Sequence, residues 1–429
     1  MNISVIGSGY VGTVSAACFA ELGHHVVCID IDPDKVDMIN RGEPPIYEDG
    51  LEELLSNHAG RTLRATADYD DAVSGTDISF ICVGTPSDDD GNIDLSIVKG
   101  ACASLGAALA KKDRYHVVVV KSTVVPQTTE KVVVPIIEGV SGKKAGVDFG
   151  VAMNPEFLRE GKAVYDFMHP DKIVVGAIDK RSDDAVSALY AGLDGETIHV
   201  DPSTAEMIKY VNNSFLATKI SFSNEIGNIC KKLGIDTYQV MDAVGRDSRI
   251  SPYFLNSGAG FGGSCFPKDV KALIGKAREQ GYEPVLLNSV IKVNEVQPLL
   301  MIDLLESRLG NLGDLTIAVL GLAFKNDTDD IRESRSIPVI QALLERGAVV
   351  TAYDPMAGDT MKQLFDDTIV HYCDNAAQAL ESAHGCLVMT EWDEFRSLNS
   401  EFATMKRPLV IDGRNVISCD GIEYVGLCW

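Results

Sequence analysis

Residues 2–30 run in an order that few folds tolerate. A short apolar strand, Asn2-Ile3-Ser4-Val5-Ile6, enters Gly7-Ser8-Gly9-Tyr10-Val11-Gly12. A helical pattern from Thr13 to Leu22 follows, Gly23 ends it, and His24–Ile29 reads as a second strand closing on Asp30. Strand, G-x-G-x-x-G, helix, strand and acidic residue in register is the plan of a dinucleotide fold. Gly7 permits the tight turn, Gly9 lets a pyrophosphate approach the backbone, and Gly12 lets helix and strand pack. Tyr10 and Val11 open the helix whose N-terminus would carry the phosphates. Asp30 is placed to accept hydrogen bonds from ribose hydroxyls. Ile31 and Asp32 follow it, with no arginine for a 2′-phosphate, which favours NAD over NADP. Lys35 is the one nearby cation and is counted with the cofactor residues.

Further βα units follow. The strand Asp77–Val83 leads into Gly84-Thr85-Pro86, His116–Lys121 into Ser122-Thr123, and Phe149–Met153 into Asn154-Pro155-Glu156-Phe157-Leu158-Arg159-Glu160-Gly161. Ligands of open α/β sheets bind beyond the carboxyl ends of the strands. Thr85, Thr123, Glu156 and Glu160 therefore become candidates for the nicotinamide side of a cleft. Each threonine could equally be an ordinary helix cap.

From Ser203 to about Leu233 the chain reads as one long helix, with Ser203 and Glu206 forming a capping box. Lys209 and Asn213, four residues apart, share one face. A lysine there is either wet surface or a cation for an oxyanion. Helices are expected over Thr237–Val244, Asp269–Gln280 and Val285 to about Leu309. Their apolar surface suggests a dimer interface or burial against flanking domains. Between the second and third of these four helices lies Gly260-Phe261-Gly262-Gly263-Ser264-Cys265-Phe266-Pro267-Lys268-Asp269. Glycines allow close approach to the thiol. A helix opening at Pro267 would set its positive end beside Cys265 and Asp269 one turn on. That setting lowers a thiol pKa and makes a nucleophile.

The last third repeats the opening plan in degraded form. The strand Leu315–Gly321, a polar segment, the helix Ser334–Glu345 and the strand Ala348–Tyr353 closing on Asp354 look like a second nucleotide-binding half rather than an NAD site. Lys325 and Arg414, each just past a strand end, suit an anionic diphosphate. The fold expected is α/β, with two Rossmann-like doubly wound parallel-sheet domains joined by a central helical domain that contains a long connecting helix. The boundaries expected are 1–200 for the NAD-binding domain, 201–305 for the central helical domain and 306–429 for the nucleotide-sugar half.

Composition narrows the partners. The net charge of −24 argues against nucleic acid and against anionic membrane. The ten cysteines are scattered with no C-x-x-C pair, so neither a metal site nor a disulfide framework is expected, and a reducing cytoplasm fits best. The first residues already read as a strand rather than a signal peptide, and no apolar run approaches the ~20 residues of a membrane span.

Taken together, these motifs resemble the nucleotide-sugar dehydrogenase family, nearest its UDP-glucose branch. The likeness spans nearly the whole chain: G-x-G-Y-V-G, Val83–Pro86, Ser122–Pro126, Asn154–Gly161, Lys209-x-x-x-Asn213, Gly260–Asp269, Gly321–Lys325 and Asp412-Gly413-Arg414. The resemblance implies a four-electron oxidation of a sugar C6 alcohol to a carboxylate, with two NAD⁺ consumed in succession. It implies that Cys265 carries a thiohemiacetal and then a thioester, that Lys209 and Asn213 stabilise charge on the C6 oxygen, and that Asp269, Glu156 and Thr123 aid hydrolysis. It places Glu156, Phe157, Leu158, Glu160, Lys209, Asn213, Arg249, Phe254, Gly262, Cys265, Phe324, Lys325 and Arg414 around UDP-glucose. It places Thr85, Thr123, Glu160, Lys268 and Arg332 within reach of NAD, and it implies a homodimer or larger homo-oligomer. GDP-mannose and UDP-N-acetyl sugars are the alternative substrates. A simple two-electron dehydrogenase and a non-catalytic nucleotide-sugar-binding protein are the alternative functions. One residue departs from the pattern: Ser251 stands where UDP-glucose members usually carry glycine.

Overall fold

The computed structural model describes residues 1–88 and 91–429. The chain divides into two compact units, residues 1–211 and 212–429. In the first, eight strands form one sheet: β1 Asn2–Ile6, β2 His25–Ile29, β3 Leu63–Thr66, β4 Ile78–Ile81, β5 His116–Val120, β6 Phe149–Met153, β7 Lys172–Ala177 and β8 Glu196–Val200. Their order is β3-β2-β1-β4-β5-β6-β7-β8. All neighbours pair in parallel except β6 and β7, which are antiparallel. The residues of β4, β5 and β6 are buried throughout, the signature of strands covered on both faces. Strand order reverses between β1 and β4, and the glycine turn after β1 sits at that switch point.

The second unit repeats the scheme. Its strands are β9 Thr316–Leu320, β10 Val349–Tyr353, β11 Val370–Tyr372, β12 Gly385–Val388, β13 Leu409–Asp412 and β14 Glu423–Gly426. Their order is β11-β10-β9-β12-β13-β14, all parallel. The expected pair of Rossmann-like sheets is therefore present, and helices fill the chain between them.

Three local expectations change. The long helix spans Pro202–Leu233, as expected, but its cap is Asp201. The Asp201 carboxylate accepts from the Thr204 N–H at 2.9 Å and the Thr204 hydroxyl at 2.5 Å. Glu206 turns away from its own helix end and accepts from the Gln127 N–H at 2.6 Å, the Thr129 N–H at 2.7 Å and the Thr129 hydroxyl at 2.6 Å. A helix expected from Pro267 starts one residue earlier, at Phe266, with Cys265 as its cap. The stretch from Val285 to Leu309 is two helices, Val285–Val296 and Leu299–Leu309. Pro298 lies at the break, where its missing N–H and its ring oppose a continuous helix. By length and apolarity alone these 25 residues could cross a membrane, against the expectation that no run would. They also contain Asn294 and Gln297, both buried and hydrogen-bonded. Such polar pairing belongs to helices packed within protein.

Candidate active site

The glycine turn of the first unit is shaped for a dinucleotide. Gly7 adopts φ +96°, a left-handed conformation that other residues resist. A Cβ on Gly12 would lie 1.8 Å from the Gly7 carbonyl oxygen, so only glycine lets the helix pack there. A Cβ on Gly9 would meet open space, which leaves room for a ligand at the backbone. The helix Tyr10–Glu21 has no side-chain cap and no acid in its first turn. Its first intrahelical bond is Thr13 N–H to Gly9 O at 2.9 Å, so the N–H groups of Tyr10, Val11 and Gly12 point out of the helix end. Asp30 accepts from the Ser8 N–H at 2.6 Å and the Asp32 N–H at 3.0 Å, which ties the turn to β2. Asp32 caps the helix Pro33–Arg41, on which Lys35 lies. This set fits the diphosphate and ribose of NAD.

The counterpart in the second unit does not. Asp354 follows β10 as Asp30 follows β2. Its Oδ2 already accepts from the Leu322 N–H at 2.7 Å, the Ala323 N–H at 3.0 Å and the Trp392 indole at 3.0 Å. That carboxylate is spent on its own loop, in keeping with the degraded fingerprint.

Beyond the strand ends of the first unit, Thr85 and Thr123 meet directly, the Thr85 hydroxyl donating to the Thr123 carbonyl at 2.9 Å. Neither begins a helix. Glu156 is buried, and its Oε1 accepts from the Lys209 ammonium at 2.7 Å while Oε2 accepts from the Leu158 N–H at 2.5 Å. Burial pushes the Glu156 carboxyl up, but the charge and hydrogen bond of Lys209, the Leu158 N–H and nearby Lys121 outweigh it and hold the group below its usual range. The Phe157 ring lies under two cations, 4.5 Å from the Lys172 ammonium and 5.5 Å from that of Lys209. Leu158 packs on the apolar core of the sheet. Glu160 lies near Tyr10, whose hydroxyl its charge helps to keep protonated after burial and Glu48.

Glu48 is a residue that sequence reasoning missed. Its buried carboxylate accepts from the Tyr10 hydroxyl, the Gly161 N–H at 2.8 Å and the Ala163 N–H at 2.7 Å. It thereby ties the start of the coenzyme helix to the loop that carries Glu156 and Glu160.

In the second unit, Cys265 is exposed at the head of the helix Phe266–Glu279. The Ser264 hydroxyl lies 3.6 Å from its sulfur. One turn along, Asp269 is buried, its Oδ2 accepting from the Asn213 amide at 2.7 Å and its Oδ1 from the Lys268 ammonium at 2.6 Å. The loop before Cys265 is wedged by neighbours that leave no room for side chains. A Cβ on Gly262 would lie 2.3 Å from the Glu333 carbonyl oxygen, and one on Gly263 would lie 2.7 Å from the Phe324 ring. The Gly263 N–H donates to the Arg332 carbonyl at 2.8 Å. Buried Asn294 clamps Phe261, accepting its N–H at 2.7 Å and donating to its carbonyl at 2.9 Å. Asn294 is a second residue without a sequence signal.

Arg332 turns its guanidinium to Asp330 at 2.6 Å, and Lys325 lies 5.7 Å from the Phe324 ring centre. Arg414 donates to the Met389 carbonyl at 2.7 Å and borders a cavity of about 180 Å³ together with Asn224, Tyr238, Gly258, Gly260 and Glu391. Arg249 stands apart from these groups, exposed and paired with Asp247 at 2.6 Å. Ser251 adopts φ 70° and Phe254 φ 63°. The residue that departs from the family pattern thus sits in a conformation that glycine reaches more easily. The ten cysteines are thiols rather than disulfides.

Comparison with known proteins matches the chain in three successive segments. The UDP-glucose/GDP-mannose dehydrogenase family matches through its NAD binding domain over residues 1–194, its central domain over 203–296 and its UDP binding domain over 318–419. The chain is 52% identical over 433 residues to UDP-glucose 6-dehydrogenase AglM of Haloferax volcanii, covering 100% of both chains. It is 41% identical over 443 residues to GDP-mannose 6-dehydrogenase of Pseudomonas syringae pv. tomato, again covering 100% of both. The solved structure of a UDP-glucose dehydrogenase from Pyrobaculum islandicum superposes with a TM-score of 0.93 at 43% identity, covering 100% of this chain and 97% of that one. Matched along its whole length by these domains and relatives, the chain belongs to the UDP-glucose/GDP-mannose dehydrogenase family of NAD-dependent enzymes.

Proposed function

We propose that the chain oxidises the C6 alcohol of UDP-glucose to the carboxylate, with Cys265 holding the carbon between two oxidations. The observation that carries this reading is an exposed thiol at a helix head, one turn from a buried carboxylate bound to Asn213 and Lys268. The overall balance is one alcohol, two NAD⁺ and one water to one carboxylate, two NADH and three protons.

The Gly7–Gly12 turn and Asp30, with Lys35, Thr85, Thr123, Glu160, Lys268 and Arg332, would hold NAD, which would supply the hydride acceptor for each oxidation. Lys209, paired with Glu156, supplies positive charge for the C6 oxygen as it becomes anionic, and the Asn213 amide supplies a second donor. Loss of the first hydride and a proton leaves an aldehyde. The Cys265 sulfur adds to that carbon and the oxygen takes up a proton, giving a thiohemiacetal. Loss of the second hydride and a proton leaves a thioester. Water directed by Asp269, Glu156 and Thr123 cleaves the carbon–sulfur bond, returning the thiol and releasing the acid. Covalent capture keeps a reactive aldehyde from escaping between the steps.

Phe157, Leu158, Gly262, Phe324, Lys325 and Arg414 form the remaining surroundings of the nucleotide sugar in this reading, with Arg249 and Phe254 at its edge. The cavity beside Arg414 is the place proposed for the nucleotide. Division into residues 1–200, 201–305 and 306–429 assigns coenzyme, helical and nucleotide-sugar roles in turn. A second copy is the partner proposed for the apolar row Val211, Phe215, Phe222 and Ile229 on the long helix, exposed by 51%, 62%, 52% and 48%. Ten thiols suit a reducing cytoplasm.

UDP-glucose is favoured because the relative named for it reaches 52% identity, against 41% for the GDP-mannose relative. The test is NADH production with UDP-glucose, GDP-mannose and UDP-N-acetylglucosamine under one set of conditions. UDP-glucose should give the highest kcat/KM. A higher value with either other sugar would reassign the substrate.

A further inference from the structure

Behind Glu156 lies a charge that the chemistry above does not use. Lys121 directly follows β5 and Asn154 directly follows β6, whose last residues, Val120 and Met153, are paired in the sheet. The two side chains therefore meet at the carboxyl edge. The Lys121 ammonium donates to Asn154 Oδ1 at 3.0 Å and lies 3.3 Å from the Tyr190 hydroxyl, which itself donates to Asn154 Oδ1 at 2.5 Å. The Asn154 amide donates in turn to the Val174 carbonyl on β7 at 2.8 Å. The rings of Phe80 and Tyr190 cover the ammonium at 6.0 Å and 5.9 Å. Lys121 is only 4% exposed, and among the described residues no carboxylate lies within 4.0 Å of it.

A buried ammonium without a salt bridge is costly, and an apolar side chain of similar length would hold the fold as well or better. The surrounding ionisable groups are the Cys18 thiol on the coenzyme helix, the Cys82 thiol after β4, Tyr190, Glu156 and Lys209. Burial pushes the Lys121 ammonium down to about 8, with Cys82 and Glu156 drawing it up and Lys209 opposing them. Perturbed groups of this kind gather at functional sites.

We propose that Lys121 is a positioning residue for the oxidation. It fixes the Asn154-Pro155-Glu156 turn and places a second positive charge behind the Glu156–Lys209 pair, so that Glu156 stays ionised. The inference rests on the reading that Glu156 and Lys209 act on the C6 oxygen.

The test compares Lys121→Met, Lys121→Gln and Glu156→Gln with the wild type in steady-state assays from about pH 3.5 to 10, a range that spans the ordinary carboxylate titration, and in thermal melts. Lys121→Met should lower kcat by about tenfold or more. It should also move the acid limb of the kcat profile up by about one pH unit, because a carboxylate that loses a nearby cation binds its proton more tightly. Its melting temperature should be equal to or above that of the wild type. Lys121→Gln should shift the profile in the same direction. If both variants keep the wild-type kcat and pH profile while Glu156→Gln is impaired, the Lys121 inference fails alone. It also fails if activity falls only in step with melting temperature. Full turnover by Glu156→Gln would remove the underlying reading, and this inference with it.

Discussion

The Asn213 amide donates to the Asp269 carboxylate at 2.7 Å, joining the helix Pro202–Leu233 to the helix that Cys265 heads. Asp269 also holds Lys268, so one buried carboxylate serves two donors. Replacing it with asparagine removes the charge and leaves one of those donors mismatched. Asp269→Asn should lower stability by about 1–3 kcal/mol, discounted because Lys268 is partly exposed. If Asp269 directs the hydrolytic water, the same variant should also retain an acyl adduct on Cys265. Intact-protein mass spectrometry after mixing with NAD⁺ and UDP-glucose would detect it. An unmodified protein with wild-type turnover would contradict the assignment.

Ser251 carries a left-handed backbone where a side chain has to be tolerated, and the Lys219 ammonium holds the loop by donating to the Ile250 and Ser251 carbonyls at 3.2 Å and 3.3 Å. Relief of a left-handed conformation stabilises by about 1–2 kcal/mol, and the looser unfolded chain of a glycine variant offsets roughly half of that. Ser251→Gly should therefore raise stability by about 0.5–1 kcal/mol, read by denaturant titration. A loss of stability would show that the serine side chain makes a compensating contact.

A buried polar chain crosses the amino end of the first sheet. Ser4 and Ser79 share a hydrogen bond at 2.5 Å, Ser79 meets His116 Nε2 at 2.7 Å, and the Lys112 ammonium meets His116 Nδ1 at 3.0 Å. Burial, followed by the charge of Lys112, pushes the His116 imidazole down to about 3. In the unfolded chain it titrates near 6.5. Between those values the unfolded state binds the extra proton, so this contribution to stability is complete above pH 6.5 and is lost as pH falls toward 3. The melting-temperature advantage of the wild type over His116→Gln should thus shrink from pH 7.5 to pH 4. A constant difference would refute the buried-imidazole assignment.

The features legible in the sequence were those set by local chemistry. The Gly7–Gly12 turn, the Cys265 loop and the long helix follow from spacing, glycine content and periodicity over a few residues. What escaped depends on partners distant in the chain. Glu48, Lys121 and Asn294 carry no pattern of their own, and their roles arise only when Gly161, Asn154 and Phe261 fold against them. Glu206 looked like half of a capping box because the spacing was right, yet the N–H groups of Gln127 and Thr129 bind it instead. Apolar periodicity continued across Pro298 and hid the helix break. The strands β3, β7, β8, β11 and β14 lie toward the outer positions of their sheets, and all five carry partly exposed or polar residues that blur the apolar run.

The most direct test of the account is the yield of NADH per molecule of UDP-glucose consumed, measured for the wild type and for Cys265→Ser. Covalent capture at sulfur predicts two NADH and one sugar acid from the wild type, with the serine variant halting before the acid is released. One NADH per sugar with free aldehyde from the wild type, or undiminished acid formation by Cys265→Ser, would contradict it.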